Sequence, residues 1–373
     1  MSNSRSSSGR RIAVISTSYP SDDDDAAGHF VKTEVESYIR EGHEVTVFAP
    51  KASRQHSMAR IIGITHLAAF GSPGALTRLR WRPDRWVGVL LFVFGTRKAL
   101  RREGTFDAGV THFLLPCFWP ICSGFSAPLD IVVHGSDLRL IEKLPRFLRR
   151  LVLRELGSSG RTLRCVSEDL SRRMSKWVDG KISIPIRVQP SPIEVPDDLD
   201  KLQVREKLGV GQATLIVIAA RLISSKRVDV ALEAARLLPA ARVVVCGDGP
   251  ERSRLEKAFP AATFLGHLPR RNVLEWIAAS DLVLSASRQE GAPTVIREAR
   301  ALNVPVIATA AGDLKKWAES DDGLWVVPEL SRQAVAVAVS GAASLKAGAS
   351  GCKPVTWSSS TSVPGSGLGV VNN

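Results

Sequence analysis

The chain has 373 residues, 44% hydrophobic and 23% charged, a composition that excludes a fibrous or wholly disordered protein. Its 50 Lys and Arg against 37 Asp and Glu give a net charge of +13, which favours an anionic partner such as a nucleotide diphosphate or an acidic lipid. Because the basic residues are spread along the chain and no RNA- or DNA-reading motif is present, nucleic acid is not an expected partner.

Length predicts two domains, and no segment predicts export or a membrane span. The first residues are polar and Ser-rich, unlike a secretory signal, and the longest apolar run, 86–94, is too short to cross a bilayer. Five cysteines, at spacings that fit no common zinc site, predict free buried thiols in a reducing cytoplasm. We therefore expect a cytoplasmic protein, at most peripheral at the inner membrane face.

The first half alternates strands and helices. A strand at 11–16, a helix at 30–41 and a strand at 44–48 form a βαβ unit, which opens a Rossmann-like domain. The acidic run 22–25 lies in the loop before that helix and is interpreted as solvated. Further strands are predicted at 107–111, 129–133, 162–167 and 182–188.

A proline-rich stretch at 189–196 is interpreted as an inter-domain linker, after which the alternation restarts. Strands are predicted at 214–220, 242–246, 263–265, 282–284 and 304–308, with helices between them. The predicted domains are therefore 1–190 and 191–343. Residues 344–373 have low complexity and are expected to be a disordered or aberrant tail.

Residues 74–102 place an apolar run between arginines, and two interpretations stay open. The run is either a core helix with basic ends or an interfacial segment whose arginines contact anionic headgroups. The second interpretation would make an anionic membrane surface a partner.

Two carboxylates, Glu290 and Glu298, bracket a predicted strand–loop–helix junction. Polar residues at the carboxyl end of a parallel strand are typical of a ligand site. The alternatives are ordinary ones: Glu290 could cap the following helix, and Glu298 could be a solvated helical acid.

The second half resembles retaining glycosyltransferases of family 4. The motifs that carry the resemblance are Ala220-Arg221-Leu222, Lys226, Asp229, Gly247-Asp248-Gly249-Pro250, Phe264-Leu265-Gly266, the Glu290–Glu298 pair with Gly291, Pro293 and Ala299, and Gly312. The first half fits more loosely, through Gly28, Gly42-His43-Glu44-Val45-Thr46-Val47 and His134-Gly135-Ser136-Asp137.

The resemblance implies the α/β GT-B fold, in which two doubly wound Rossmann-like domains face each other across a cleft. The N-terminal domain would bind the acceptor and the C-terminal domain the nucleotide-sugar. The implied activity is metal-independent retaining transfer of a sugar from a nucleotide-sugar to a glycan or lipid-linked acceptor, in polysaccharide or glycolipid biosynthesis, with no cofactor. The alternatives are a nucleotide-sugar epimerase of the same fold and an inactive nucleotide-sugar binder with a defective C-terminus.

The resemblance also implies residue roles. Arg221, Lys226 and the helix start at Pro293 and Thr294 would hold the donor diphosphate, which suits cations and free backbone N–H groups. Glu298, Gly247, Gly249, Gly266 and Leu268 would line the ribose and base. His134 and Glu290 would act at the reacting sugar, where Asp137, Gly291 and Ala292 also lie. Gly28 would belong to an acceptor loop.

Two of these assignments have rival explanations, and the chain also departs from the family pattern. His134 could be a structural histidine, and Asp137 could cap the next helix. Arg227 follows the lysine where the family usually has Gly, and the helix that normally ends the family chain is not recognisable in the tail.

Overall fold

A computed structural model describes residues 9–20, 28–50, 58–70, 82–238 and 240–330. The predicted acidic run at 22–25, most of the acceptor loop, the arginines before residue 82 and the tail predictions lie outside these residues. The chain divides into two compact units, the first ending at Pro192 and the second beginning at Ile193. Each is described separately.

The first unit contains a seven-stranded sheet in the spatial order β3-β2-β1-β4-β5-β6-β7, with every neighbouring pair parallel. The strands are β1 (Arg11–Ser16), β2 (Glu44–Pro50), β3 (Arg60–Ile64), β4 (Ala108–His112), β5 (Leu129–Val133), β6 (Arg161–Cys165) and β7 (Ile186–Val188). The α-helices are His29–Arg40, Trp86–Glu103, Ser136–Glu142, Arg146–Leu156 and Glu168–Val178. A short 3₁₀ turn spans Pro83–Arg85, and a helical segment with two cis X-Pro bonds spans Leu114–Ile121.

The second unit contains a six-stranded parallel sheet in the order β10-β9-β8-β11-β12-β13. The strands are β8 (Leu215–Ala219), β9 (Arg242–Cys246), β10 (Thr263–Gly266), β11 (Leu282–Ser285), β12 (Val306–Thr309) and β13 (Leu324–Val327). The helices are Lys201–Lys207, Val228–Ala235, Arg252–Ala258, Arg270–Ala279, Thr294–Ala301 and Leu314–Ala318, with a 3₁₀ turn at Ser224–Lys226.

The central strands of both sheets are buried on both faces, as parallel strands covered by helices must be. In β8, Leu215 and Val217 pack into one hydrophobic cluster, whereas Ile216 and Ile218 pack into another. Successive side chains of a strand point to opposite faces, so one apolar strand supplies two cores. The predicted fold class, two doubly wound α/β units, is confirmed.

Candidate functional site

The order in which strands are added to the second sheet reverses between β8 and β11, its topological switch point. From β8 the strand order runs outward to β9 and β10, and from β11 it runs the other way to β12 and β13. Loops at the carboxyl ends of such a pair diverge and leave a crevice, the usual ligand position in doubly wound sheets. The loop after β8 carries Arg221 and Lys226, and the loop after β11 carries Glu290.

The two loops contact each other directly. Backbone N–H of Arg288 donates to the carbonyl oxygen of Ser225 at 3.0 Å. Lys226 Nζ lies 2.5 Å from Glu290 Oε1, and these side chains are 20% and 12% exposed. Arg221, which is more exposed, interacts electrostatically with Glu290. Lys226 and Glu290, predicted to act on different parts of a ligand, are therefore one ion pair that solvent can reach.

Glycines bring the loop after β9 against the loop after β8. Gly247 and Gly249 have φ of 145° and 156°, and an added Cβ would lie 1.9 Å from the Ala220 oxygen and 2.4 Å from the Leu222 oxygen. Only residues without a side chain allow this approach of two backbones. These glycines thus support the segment that presents Arg221.

Gly266 joins the same group of loops, because its carbonyl oxygen accepts a hydrogen bond from the backbone N–H of Gly247 at 2.8 Å. Leu268, two residues later, is partly buried against a core cluster. Both lie next to the crevice-forming loops by chain position, although their predicted contact with a base and ribose stays a prediction.

The helix Thr294–Ala301 begins at the crevice. Pro293 occupies the N-cap position with φ −63° and ψ 113°, and no side chain caps the helix. The capping role considered for Glu290 is therefore not realised. Gly291, Ala292, Pro293 and Thr294 are all partly buried. The backbone N–H groups and positive end of this helix are suited to an anion.

Glu298 lies in that helix but is only 3% exposed, so the interpretation as a solvated acid is wrong. Its Oε1 accepts a hydrogen bond from Arg270 Nη2 at 2.9 Å, and the same guanidinium nitrogen donates to the carbonyl oxygen of Glu194. The sequence reasoning missed Arg270, since an Arg-Arg pair at the start of a helix has no feature that predicts a carboxylate partner 28 residues away.

In the first unit, His134 follows β5 and meets a second histidine. The His134 Nε2 lies 3.1 Å from the Nδ1 of His112, the last residue of β4, and the rings stack with centroids 5.3 Å apart. Phe30 and Phe113 also contact the His134 ring. Burial and the neighbouring His112 hold the pKa of His134 well below its usual value, so the imidazole is neutral at pH 7.

Asp137 connects two segments of the first unit. Its carboxylate oxygens accept hydrogen bonds from the backbone N–H groups of Leu114, at 2.8 Å, and His134, at 2.7 Å. Gly135, with φ 97°, occupies the N-cap of the helix Ser136–Glu142, which has no side-chain capping hydrogen bond, so Asp137 lies in the first turn. Burial raises the pKa of Asp137 to about 6, against the lowering effect of these N–H donors. The structure therefore gives Asp137 a positioning role beside His134.

Buried charges lie beneath the histidine pair. Glu34, from the helix His29–Arg40, pairs with Arg164 of β6, and each side chain is 1% exposed. Arg164 Nε also lies 3.1 Å from Asp130 Oδ2 of β5, and Arg187 of β7 reaches the same carboxylate at 2.5 Å. The sequence analysis did not predict that Asp130 and Arg164, each a single charged residue in an apolar strand, form ion pairs.

Gly28 begins the helix His29–Arg40, as its N-cap, with φ 78°. An added Cβ would lie 2.3 Å from the carbonyl oxygen of Ser18 in the loop after β1. Gly28 therefore allows the helix start to approach the edge of the sheet near His112 and His134. Residues 21–27 of the predicted acceptor loop lie outside the described residues.

The helix Trp86–Glu103 has a face packed in the core, as the core-helix interpretation expects, and an exposed apolar surface. One face is buried, including Phe92 and Val93. Apolar side chains on the rest of its surface are exposed: Trp86 by 52%, Val87 by 54%, Leu90 by 56%, Leu91 by 41% and Phe94 by 67%. Within the described ranges no helix has the length and apolarity needed to cross a membrane.

The described residues include no group of three or more His, Cys, Asp or Glu side chains arranged to hold a metal ion. The cysteines Cys117, Cys122, Cys165 and Cys246 are free and buried, as predicted for these four.

Comparisons with known proteins identify relatives along most of the chain. A family model described as Glycosyltransferase Family 4 matches residues 27–194, and one described as Glycosyl transferases group 1 matches residues 200–345. The chain is 26% identical over 355 residues to a putative teichuronic acid biosynthesis glycosyltransferase, TuaC, of Bacillus subtilis, covering 88% of each protein. It is 26% identical over 323 residues to a GDP-mannose-dependent alpha-mannosyltransferase of Mycobacterium tuberculosis, covering 82% of this chain and 80% of the relative.

Solved structures share the fold. Sucrose-phosphate synthase from Thermosynechococcus elongatus matches with a TM-score of 0.71 and 18% identity, over 91% of this chain and 90% of that protein. HepE of Anabaena, in complex with UDP-glucose, matches with a TM-score of 0.61 and 18% identity, over 91% of this chain and 95% of that protein.

Proposed function

The chain belongs to glycosyltransferase family 4, the group 1 glycosyltransferases, and is a glycosyltransferase; from this membership we propose that it transfers a hexose-type sugar from a nucleotide-sugar donor to a glycan or lipid-linked acceptor, with retention and without a metal ion. The observation that carries the proposal is the crevice between β8 and β11, where Lys226, Glu290 and a helix N-terminus meet. The similarity to a GDP-mannose-dependent mannosyltransferase and to HepE, whose structure contains UDP-glucose, supports a nucleotide-sugar donor.

Departure of a nucleoside diphosphate builds negative charge on the leaving phosphates, and the site must stabilise it. Arg221, Lys226 and the first N–H groups of the helix at Pro293 and Thr294 supply positive charge and donors at one edge. Because these groups can neutralise the diphosphate by themselves, a divalent cation is not required. Lys226 turns from Glu290 toward the phosphates when the donor binds, and Glu290 becomes an acceptor for sugar hydroxyls beside Gly291 and Ala292.

Glu298 binds the ribose hydroxyls, since a carboxylate accepts two hydroxyl protons at once. Arg270 holds this buried carboxylate in position through a 2.9 Å contact between its Nη2 and Glu298 Oε1. Gly247, Gly249, Gly266 and Leu268 complete the wall beside the nucleoside.

The reaction proceeds on one face of the sugar. The acceptor hydroxyl attacks the anomeric carbon on the side from which the diphosphate leaves, and the leaving phosphate oxygen takes its proton. His134, held neutral, contacts the donor sugar by hydrogen bonding. No protein carboxylate acts as a nucleophile in this scheme.

A thermal-shift screen of UDP, GDP, ADP and their sugars, with and without EDTA, tests the proposal. A ligand at 100 times its Kd stabilises the native state by about 2.7 kcal/mol, which for a domain of this size is a rise of roughly 5–10 °C. We expect one base to respond equally with and without EDTA, and Glu298→Ala to abolish the response while the protein stays folded. No response to any nucleotide contradicts the nucleotide-sugar site, and a response that needs metal contradicts metal independence.

The exposed apolar surface of the helix Trp86–Glu103 supports binding to an anionic membrane, where a lipid-linked acceptor would lie. Phe94 is followed at helical spacing by the exposed cations Lys98 and Arg101, which places apolar and basic groups on one side. Apolar groups enter the lipid boundary while each nearby cation adds about 1 kcal/mol on anionic headgroups.

Sedimentation with vesicles measures this binding. We expect the protein to sediment with vesicles containing phosphatidylglycerol at low salt and not with phosphatidylcholine alone. Phe94→Ser should weaken sedimentation, whereas Leu202→Ser, at a residue of the second unit that is 76% exposed, should leave it unchanged. Equal sedimentation of both variants would contradict this assignment.

A further inference from the structure

His134 is in contact with a histidine, and the proton positions on the two rings are coupled. His112 is fully buried, and burial together with Arg164 holds its pKa well below the usual value. Both imidazoles are therefore neutral at pH 7. A neutral imidazole has one N–H donor and one bare acceptor nitrogen, so the 3.1 Å contact between His112 Nδ1 and His134 Nε2 holds a single proton.

Glu34 faces the other side of His112. Its Oε2 lies 3.8 Å from His112 Nε2, and both atoms are buried and have no hydrogen-bonding partner among the described residues. A carboxylate attracts an N–H and repels a lone pair, so the proton of His112 belongs on Nε2. That leaves Nδ1 as an acceptor.

The orientation of Glu34 is set by its own partners. Its Oε1 accepts hydrogen bonds from Arg164 Nη2 and from the hydroxyl of Tyr38, the latter at 2.8 Å. With Oε1 occupied, Oε2 is the oxygen directed at His112. Glu34 and Asp130 balance the charges of Arg164 and Arg187, so the group is neutral only while His112 carries no charge.

We propose that Glu34 and His112 are positioning residues that select the tautomer of His134, so that His134 donates through Nε2–H to His112 and presents a bare Nδ1 as an acceptor for a hydroxyl of the donor sugar. The donor-sugar part rests on the proposed function. Buried charges are costly to a fold, and the three beneath one imidazole, Glu34, Arg164 and Asp130, are consistent with a functional requirement for its proton position.

The tautomer can be measured without any ligand. In the full chain labelled with ¹⁵N-histidine, long-range ¹H–¹⁵N spectra distinguish Nδ1–H from Nε2–H, and His134→Gln identifies the resonances of His134. We expect the wild-type protein to carry Nε2–H on both His112 and His134.

Glu34→Gln should change the tautomer of both imidazoles, moving the proton of each from Nε2 to Nδ1. Because Arg164 and Tyr38 donate to the Oε1 position, the Gln oxygen stays there and its NH₂ replaces Oε2. The NH₂ donates to His112 Nε2, which moves the His112 proton to Nδ1 and the His134 proton to its own Nδ1. Glu36→Gln, on the same helix, is the control and should leave both tautomers unchanged.

Turnover of the nucleotide-sugar found in the thermal-shift screen should fall about tenfold in Glu34→Gln, the effect of one lost hydrogen bond. Affinity for the nucleoside diphosphate should not change, because that site lies in the second unit. Nδ1–H on His134 in the wild-type protein, or unchanged tautomers in Glu34→Gln, would overturn the proposal.

A second variant serves if Glu34→Gln does not fold. His112→Phe keeps an aromatic ring and removes the acceptor, so the Nε2–H population of His134 should fall; an unchanged spectrum overturns the proposal. Should His134→Gln itself leave turnover intact, the donor-sugar role of His134 fails, whereas the tautomer result stands independently.

Discussion

One ion pair of the first unit, Glu34–Arg164, and one of the second, Lys226–Glu290, lie at different depths. In the first unit, Glu34 and Arg164 are each 1% exposed. In the second unit, Lys226 is 20% and Glu290 12% exposed. A charge that no solute can reach acts only through its neighbours, whereas a partly exposed pair can exchange one partner for a ligand.

This difference in exposure separates residues that position other side chains from residues that can bind a ligand. Buried charges keep their stabilising value only while every partner is present, because an unpaired charge cannot be hydrated. A solvent-accessible Lys can leave its carboxylate for a phosphate at little cost. We therefore expect substitutions in the Glu34–Arg164 group to act mainly on stability and proton positions, and those in the Lys226–Glu290 pair to act on ligand affinity.

The largest effect should come from removing the buried cation. Arg164→Ala leaves Glu34 and Asp130 without their shared partner and should destabilise the first unit by about 3–5 kcal/mol. Hydrogen exchange of β5 and β6 amides in urea measures this. Arg172→Ala, whose pair with Asp169 is exposed, is the control. A small effect of Arg164→Ala would mean that the interior charges are not coupled.

The next effect is a pH dependence specific to the first unit. Burial raises the pKa of Asp137 from 3.8 unfolded to about 6 folded, so the folded state binds its proton more tightly. Between these pH values the native state holds more protons than the unfolded state, and stability falls as pH rises, by at most about 3 kcal/mol.

Asp137→Asn removes this titration. The difference in unfolding free energy between wild type and Asp137→Asn should therefore change between pH 4 and 6 and be constant above pH 7. A difference that is constant across the whole range would show that the carboxylate does not titrate there.

Opposite effects on diphosphate binding are expected within the exposed pair of the second unit. Lys226→Met removes a charge-assisted contact to phosphate of about 1.5–3 kcal/mol and should raise the Kd of the nucleoside diphosphate about 10- to 100-fold. Glu290→Gln releases Lys226 and should keep or lower that Kd, while sugar transfer falls. Isothermal titration calorimetry measures the Kd of the nucleoside diphosphate for both variants. If both substitutions raised this Kd, the assignment of the phosphate contact to Lys226 rather than to the pair would be contradicted.

The smallest effect concerns the backbone beside Lys226. Arg227 has φ 47° and ψ 45°, the left-handed region that favours glycine. Arg227→Gly relieves about 1–2 kcal/mol of strain but adds unfolded-state entropy, for a net gain of about 0.5–1 kcal/mol in the second unit. Chemical denaturation measures this gain. A loss of stability would show that the Arg227 side chain contributes more than its backbone costs.

Much of the second-unit site could be predicted because its pieces are local. Apolar strands followed by Arg221, Gly247 or Glu290 place these residues at strand ends, and the ends of parallel strands share one edge. The glycines of those loops were recognisable, although their contacts prove to be between backbones. The sequence places Glu298 on the helix that follows β11, but its burial depended on packing that helical spacing alone does not specify.

The first-unit site was predicted less completely. His134 and Asp137 follow a strand and could be found. His112, Glu34 and Arg164 could not, because each occupies one position of an element whose pattern only predicts a strand or a helix.

By itself, the sequence determined the two α/β units, their strand order along the chain and the polar residues that follow the strands. Tertiary structure alone decided which polar and charged side chains meet. His112 and His134 are 22 residues apart, Arg270 and Glu298 are 28, Lys226 and Glu290 are 64, and Glu34 and Arg164 are 130. Hydrophobic periodicity records which face of an element is buried. It carries no information on the partner that a buried charge will find across the sheet.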